Sequence, residues 1–173
     1  RRDFTFNSIY INLIGEVFDF YSGVEHFKNN YLKFIFDPIV QIQKDYLRAI
    51  RYIRFLSLFE NTKTFPADLE AIMLLSKNIT DFVKEKKISQ ELNKIYKMPF
   101  PKNTISFLKE NNELRQFLDF LSDKYTPELK VNNYICNIKH TKNNFSTDNR
   151  QIKKIKIDKN ILKNFLILLC SRL

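Results

Sequence analysis

The residues best suited to chemistry in this sequence are arginines and the acids beside them. Arginine offers a planar fork of donors that matches the two oxygens of a phosphate or a carboxylate. Five of the eight arginines fall in two short groups, namely Arg1 and Arg2 beside Asp3, and Arg48, Arg51 and Arg54 shortly after Asp45. These groups indicate a site for an anionic or polar ligand.

The spacing of Asp45 and Arg48 suggests which ligand groups the second arginine group could recognise. Three residues apart on a helix, a carboxylate acceptor and a guanidinium donor lie side by side. The Watson–Crick edges of cytosine and adenine each present an amino donor beside a ring acceptor, which this pair complements. Arg51 and Arg54, further round the helix, could meet phosphate oxygens. A solvated Asp–Arg pair that only supports its helix has the same spacing, so the spacing alone leaves both interpretations open.

Other common catalytic arrangements are missing from the sequence. The two histidines, His26 and His140, are not spaced as zinc ligands, and two glycines cannot build a phosphate loop. No DxD pair of carboxylates is present to hold two metal ions. Asp68 and Glu70 come nearest, but acids there simply favour a helix N-terminus. We therefore predict no metal site and no catalytic residue in this chain.

Charge is distributed unevenly along the chain. The net charge is +10 over 173 residues, yet residues 1–60 hold eight basic and seven acidic side chains. Residues 130–173 hold ten basic and two acidic side chains. This asymmetry favours a nucleic-acid partner for the second half, although the Lys-rich composition of the whole chain explains it equally well.

The cysteines and the hydropathy indicate a compartment. Cys136 and Cys170 lie far apart without a CxxC motif, which is typical of a reducing cytoplasm. No stretch is apolar enough to span a bilayer. The sequence therefore predicts a cytoplasmic location and no membrane partner.

The elements that must position the arginines are mostly helices. Short β-prone runs occur only at residues 9–11, 16–18 and 32–36, within a small mixed piece that ends at Asp37 and Pro38. Apolar spacing predicts helices afterwards. They cover 40–59, 67–76, 81–96, 103–121 in one or two pieces, and 161–169, with 131–151 the least ordered stretch.

Three motifs together resemble the family of class II tRNA nucleotidyltransferases (CCA-adding enzymes) and bacterial poly(A) polymerases. Residues 1–7, RRDFTFN, resemble the RRDFTxNA motif, and residues 19–23, DFYSG, resemble the Asp-to-Gly motif between head and neck. Residues 44–55, KDYLRAIRYIRF, are similar to the EDxLRxxRxxRF helix. Weaker similarity continues through residues 88–94. The motifs occur in the family's order, and the resemblance covers residues 1–100.

The resemblance implies template-independent addition of CMP and AMP to tRNA 3′ ends, with CTP and ATP as substrates. It implies that Asp45 and Arg48 select the base and that Asp3 contacts the ribose. Asp19 and Gly23 would form the hinge between head and neck. The full set of implied nucleotide-binding residues is Arg2, Asp3, Asp45, Arg48, Arg51 and Arg54.

The resemblance also implies a mainly α architecture with three parts. Residues 1–37 would be the C-terminal αβ remnant of a nucleotidyltransferase head. Residues 38–100 would be a helical neck containing the nucleotide-selecting helix 40–59. Residues 101–173 would be a partial helical body that contacts tRNA.

Departures from the family pattern shape the remaining expectations. Lys44 stands where the family has Glu, and Tyr46 where Pro is common. The family's metal-binding carboxylates precede the RRD motif, so Mg²⁺ is expected for the complete enzyme with its ligands absent here. We thus expect a fragment that is inactive alone and needs an upstream polypeptide. The alternatives are a poly(A) polymerase fragment and an inactive RNA-binding remnant.

Overall fold

The structure is a computed structural model that describes residues 2–14 and 16–121. Most of this part is helical, which confirms the mainly α prediction. The helices are α1 (Gly23–Lys28), α2 (Pro38–Lys44), α3 (Leu47–Phe55), α4 (Pro66–Phe82), α5 (Glu85–Leu92) and α6 (Pro101–Glu110), with 3-10 segments at Thr5–Ser8, Asn93–Lys97 and Asn112–Phe120. The strands are β1 (Tyr10–Ile11), β2 (Val17–Phe18), β3 (Tyr31–Leu32) and β4 (Lys63–Thr64).

The strands are short and pair in two places. β1 and β2 form an antiparallel hairpin with Tyr10 opposite Phe18. The Asn12 side chain closes its turn by accepting from the Glu16 backbone N–H at 2.8 Å. β3 pairs in parallel with β4, a strand that the sequence did not predict. The first two β-prone runs therefore form strands, whereas the third shares only Leu32 with β3, and Phe34 within it forms an isolated antiparallel bridge to Phe4.

The predicted continuous helix over 40–59 is wrong, because two helices occupy this stretch. α2 ends at Lys44 and α3 begins at Leu47, with Asp45 in an extended conformation at φ −162° and ψ 100°. The Asp45 carboxylate accepts from the Leu47 backbone N–H at 3.1 Å. An aspartate that captures a nearby N–H in this way starts a new helix.

Two later helix boundaries also differ from the prediction. α4 runs from Pro66 to Phe82, six residues beyond the predicted end at 76, because no breaker lies between 76 and 82. Extended backbone at Val83 then ends it, so the restart predicted at 81 falls at Glu85 instead. The fourth helix does come in two pieces, α6 and the segment Asn112–Phe120. The predictions for 131–151 and 161–169 lie outside the described residues.

A buried aromatic cluster joins the first forty residues to α3. The Phe34 ring stacks on Tyr52 with centroids 5.1 Å apart, and Phe4 lies 5.1 Å from Phe34. Phe55 meets both Phe4 and Phe6 edge-on at 5.4 and 5.3 Å. Offset and edge-to-face rings of this kind add to the burial of their area. The N-terminal piece and α3 consequently share one core.

Polar bonds buried in the core fix α6 against α3. The Thr104 hydroxyl donates to the Ile53 carbonyl at 2.8 Å and lies 2.6 Å from the Ser57 hydroxyl. All three residues are fully buried. Since each polar group has a partner, this contact avoids the cost of burying a hydroxyl alone.

Candidate nucleotide-binding site

An ion pair joins the RRD segment to the arginine helix. Nη2 of Arg51 lies 2.8 Å from Oδ2 of Asp3. Oδ1 of the same carboxylate accepts from the Phe4 backbone N–H at 3.1 Å and from the Asn7 amide at 3.3 Å. The Asp3 side chain is only 4% exposed, whereas Arg51 is 28% exposed. Asp3 therefore fixes one edge of a guanidinium that still reaches solvent.

Arg48 is held by the preceding helix. Its Nη1 donates to the Gln41 backbone carbonyl at 3.4 Å and to the Gln41 side-chain oxygen. Gln41 is buried in α2, so the guanidinium spans the break between α2 and α3. Sequence reasoning missed Gln41, and its only signal was a polar residue in an otherwise apolar run.

Asp45 lies in that break and is exposed. Its backbone carbonyl accepts from the Arg48 N–H at 3.0 Å, which keeps the two residues adjacent. Within the described residues the two side chains form no ion pair, because the Arg48 contacts go to Gln41. The two residues thus lie three apart at a helix start rather than within one continuous helix, and the side-by-side placement of their side chains stays a prediction.

Arg54 is buried in an ion-pair network. Its Nη2 lies 3.1 Å from Oε1 of Glu91, and the ammonium of Lys94 lies 3.1 Å from Oε2 of Glu91. The Arg54 guanidinium also sits 4.3 Å above the Phe55 ring. With a side chain 5% exposed, Arg54 ties α3 to α5. Its predicted contact with a nucleotide stays a prediction.

The remaining predicted residues lie in the N-terminal piece. Arg2 is exposed, with its guanidinium carbon 6.0 Å from the Tyr10 ring centroid. Arg1 lies outside the described residues. Asp3 and Arg51 are in contact, Asp45 and Arg48 share a backbone hydrogen bond at the α2–α3 break, and Arg54 pairs with Glu91 of α5.

Asp19 and Gly23 both fix the start of α1. Oδ1 of Asp19 accepts from the Gly23 N–H at 2.8 Å, and Oδ2 accepts from the Val24 N–H at 2.9 Å. Gly23 packs so tightly that an added Cβ would lie 2.3 Å from the Thr5 carbonyl oxygen. Their predicted role as a hinge stays a prediction.

The described residues do not fit the magnesium site that the family resemblance implies. Among them, no group of three or more His, Cys, Asp or Glu side chains is placed to hold a metal ion. The one buried carboxylate of the site, Asp3, is already neutralised by Arg51. In the same part of the chain, no helix is long and apolar enough to cross a membrane.

Sequence comparison relates the chain to CCA-adding enzymes. It is 29% identical over 134 residues to the CCA-adding enzyme of Anoxybacillus flavithermus, covering 78% of this chain and 33% of that enzyme. It is 33% identical over 129 residues to the CCA-adding enzyme of Geobacillus sp., covering 72% of this chain and 30% of that enzyme. It is 37% identical over 97 residues to the human mitochondrial CCA tRNA nucleotidyltransferase 1, covering 55% and 22%. No family model matches the chain.

Structure comparison shows the same fold. The Bacillus stearothermophilus CCA-adding enzyme in complex with CTP matches with a TM-score of 0.58 at 24% identity, covering 67% of this chain and 29% of that one. The Thermotoga maritima enzyme complexed with tRNA matches with a TM-score of 0.58 at 22% identity, covering 68% and 29%. The chain spans a third or less of the curated relatives named above. By sequence and fold together, the chain belongs to the family of CCA-adding enzymes.

Proposed function

We propose that this chain forms the nucleotide-selecting part of a tRNA nucleotidyltransferase that adds CMP and AMP to the 3′ end of tRNA. The observation that carries the proposal is the 2.8 Å ion pair between Asp3 and Arg51. It brings the two motif segments together beside Arg48 and Asp45. The structural neighbour with CTP bound supports the same ligand class.

Asp45 and Arg48 have the free groups that base selection needs. Oδ1 of Asp45 is occupied by the Leu47 N–H, which leaves Oδ2 to accept from the amino group of cytosine or adenine. Nη1 of Arg48 is occupied by Gln41, which leaves further N–H groups to donate to the ring nitrogen beside that amino group. Uracil and guanine reverse this donor and acceptor order, so the pair disfavours them.

Arg51 and Arg2 are the proposed phosphate contacts. Arg51 uses Nη2 on Asp3 and keeps other donors on a partly exposed side chain, and Arg2 is exposed nearby in the same segment. Because Asp3 is buried and ion-paired, we assign it the role of orienting Arg51 rather than of contacting the ribose. Arg54 in turn supports α3 from its buried side through Glu91.

Lys44 does not disturb this arrangement. It is the exposed last residue of α2, where a positive charge suits the helix C-terminus. The α2–α3 break is held by contacts of Gln41 and Asp45 instead. We therefore expect nucleotide selection to survive the change from the family's Glu.

The proposal assigns the parts of the chain as the sequence predicted. Residues 1–37 contribute the RRD segment of the head, 38–100 the neck, and 101–173 a tRNA-contacting body. The basic 130–173 stretch suits tRNA phosphates, and a structural neighbour is complexed with tRNA. Magnesium and the carboxylates that hold it would come from elsewhere in the complete enzyme, since the described residues do not fit that site.

The test is equilibrium binding of CTP, ATP, UTP and GTP to the chain. We expect CTP and ATP to bind more tightly than UTP and GTP. Asp45→Ala and Arg48→Ala should each reduce that preference by about 1–3 kcal/mol, or roughly 5- to 150-fold, the value of a good base contact. Asp81→Ala and Lys86→Ala remove the same charges from exposed positions and should leave the preference unchanged.

Other outcomes would point to the alternatives. Preference for ATP alone would favour a poly(A) polymerase. Binding of tRNA with no binding of any nucleotide would favour an RNA-binding module. Unchanged base preference in both Asp45→Ala and Arg48→Ala would contradict the selection role.

A further inference from the structure

A buried carboxylate binds the backbone segment that is hydrogen-bonded to the RRD segment. Asp68, in the first turn of α4, is 3% exposed. Its Oδ2 accepts from the Phe34 backbone N–H at 3.1 Å. An acid that only favoured a helix N-terminus would face water, so this burial and this partner require another reason.

The backbone around Phe34 explains why the bond matters. The Thr5 N–H donates to the Lys33 carbonyl, and the Ile35 N–H donates to the Asp3 carbonyl, both at 3.1 Å. Because strand N–H groups alternate in direction, the Phe34 N–H between them points away from the RRD segment. Asp68 supplies the acceptor on that far side. Asp68 thus fixes the Phe34 backbone, and the neighbouring Ile35 N–H binds the Asp3 carbonyl.

The same carboxylate reaches the residue next to Arg51. The Tyr52 hydroxyl is fully buried and lies near both the Leu32 carbonyl, at 3.3 Å, and the Asp68 carboxylate. The hydroxyl donates its one proton to the Leu32 carbonyl. Burial, and then the nearby Asp68 charge, raise the pKa of Tyr52. Asp68 therefore lies close to both flanks of the ion pair, bonded to Phe34 on one side and facing Tyr52 on the other.

We propose that Asp68 is a positioning residue that holds Asp3 against Arg51 and thereby sets the geometry of the nucleotide site. The inference rests on the proposed function for its link to nucleotide binding. The position of the ion pair itself does not depend on that function. Asp68 acts through its bond to the Phe34 backbone and its charge near Tyr52, and we assign it no contact with the nucleotide.

The burial of Asp68 makes the brace sensitive to pH. Burial raises the pKa of Asp68 to about 6, while the Phe34 N–H, the nearby Lys33 and the Tyr52 hydroxyl lower it. Protonation replaces a carboxylate acceptor with a neutral acid, which weakens the bond from Phe34 and removes the charge that faces Tyr52. The brace should therefore loosen as the pH falls below about 6.

The first experiment measures CTP affinity of the chain from pH 5 to 8 in the wild type, Asp68→Asn and Asp68→Leu. The amide of Asp68→Asn keeps an acceptor for the Phe34 N–H but cannot ionise. The triphosphate of CTP titrates equally in every measurement, so affinities are compared with that of Asp68→Asn at the same pH. Relative to this variant, we expect wild-type affinity for CTP to fall several-fold from pH 7 to 5. At pH 7, Asp68→Leu should bind at least about tenfold more weakly than the wild type, and Asp68→Asn should lie between them. Asp81→Asn, an exposed control, should match the wild type.

The second experiment separates this inference from the proposed function. Urea-unfolding midpoints are measured for Arg51→Gln, Asp68→Leu and the double variant. If Asp68 positions the ion pair, Arg51→Gln should shift the midpoint less in the Asp68→Leu background than in the wild type. Additive shifts would overturn the inference, whether or not CTP binds. Absence of CTP binding in the wild type, with non-additive shifts, would overturn the proposed function and leave the positioning role established.

Parallel pH profiles in the wild type and Asp68→Asn would overturn the inference. So would unchanged CTP affinity in a folded Asp68→Leu, even with a lowered unfolding midpoint. Such a result would give Asp68 a purely structural role.

Discussion

Replacing Glu91 removes the charge that balances a buried guanidinium. Arg54 and Glu91 are 5% and 10% exposed in their side chains, and their atoms lie 3.1 Å apart. Breaking one partner of a buried pair costs about 3–5 kcal/mol, because the other charge stays buried without compensation. Glu91→Gln keeps an oxygen as acceptor for Arg54, which places it near the lower value. Glu91→Leu removes both acceptors and should approach the upper one.

Urea unfolding at pH 7 measures this loss directly. With a slope of about 2 kcal/mol per M urea, a loss of about 3 kcal/mol lowers the midpoint by about 1.5 M. Such a loss is a large share of the 5–15 kcal/mol that stabilises a typical domain. Glu110→Gln, at an exposed position, should stay within about 0.5 kcal/mol of the wild type.

A double variant tests the reason as well as the size of the effect. Arg54→Met with Glu91→Leu removes both charges and fills the space with apolar groups, which is often neutral or stabilising for buried pairs. We expect the double variant to be more stable than either Glu91 variant alone. The reasoning is refuted if Glu91→Gln behaves like Glu110→Gln, or if the double variant loses as much stability as Glu91→Leu.

Three further perturbations have clear expectations. Gly23→Ala should lower the unfolding free energy by about 1–3 kcal/mol, because its Cβ would lie 2.3 Å from the Thr5 carbonyl oxygen; unchanged stability in a thermal melt would contradict this packing. Thr104→Val should lower the unfolding free energy by about 1–3 kcal/mol, because the buried Ser57 hydroxyl loses its hydrogen-bond partner. Thr104→Ser keeps that hydroxyl and should lower the unfolding free energy less. Because the folded pKa of Asp68 is raised to about 6, the folded state binds its proton more tightly. Wild-type stability should therefore fall relative to Asp68→Asn as the pH rises from 4 to 6, and parallel stability curves would argue against the burial of that carboxylate.

The sequence predicted the α-rich fold, which the structure confirms. Apolar periodicity located α3 and α4 because the inward faces of helices repeat every three to four residues. It failed at Asp45, where a single side-chain bond to the Leu47 N–H ends one helix and starts another. Such a choice depends on one local hydrogen bond, which periodicity does not register.

The ligand of the arginine residues stays a prediction, but the structure shows contacts of these residues that the sequence could not predict. Spacing placed Arg48, Arg51 and Arg54 on one helix, but it could not say which partner each would meet. Arg54 lies buried because Glu91, on a helix 37 residues later, reaches it. Gln41 and Asp68 were missed for the same reason, since their partners are brought close only by tertiary packing.

The aromatic core has a consequence for how the chain acquires its structure during synthesis. Phe4 and Phe6 emerge from the ribosome before their buried neighbours Tyr52 and Phe55, which follow about fifty residues later. Loop-closure entropy opposes contacts that are so distant in sequence. Phe4 and Phe6 therefore stay exposed until α3 has formed. A chain whose synthesis stops before residue 55 would expose these apolar side chains, which favours chaperone binding or aggregation.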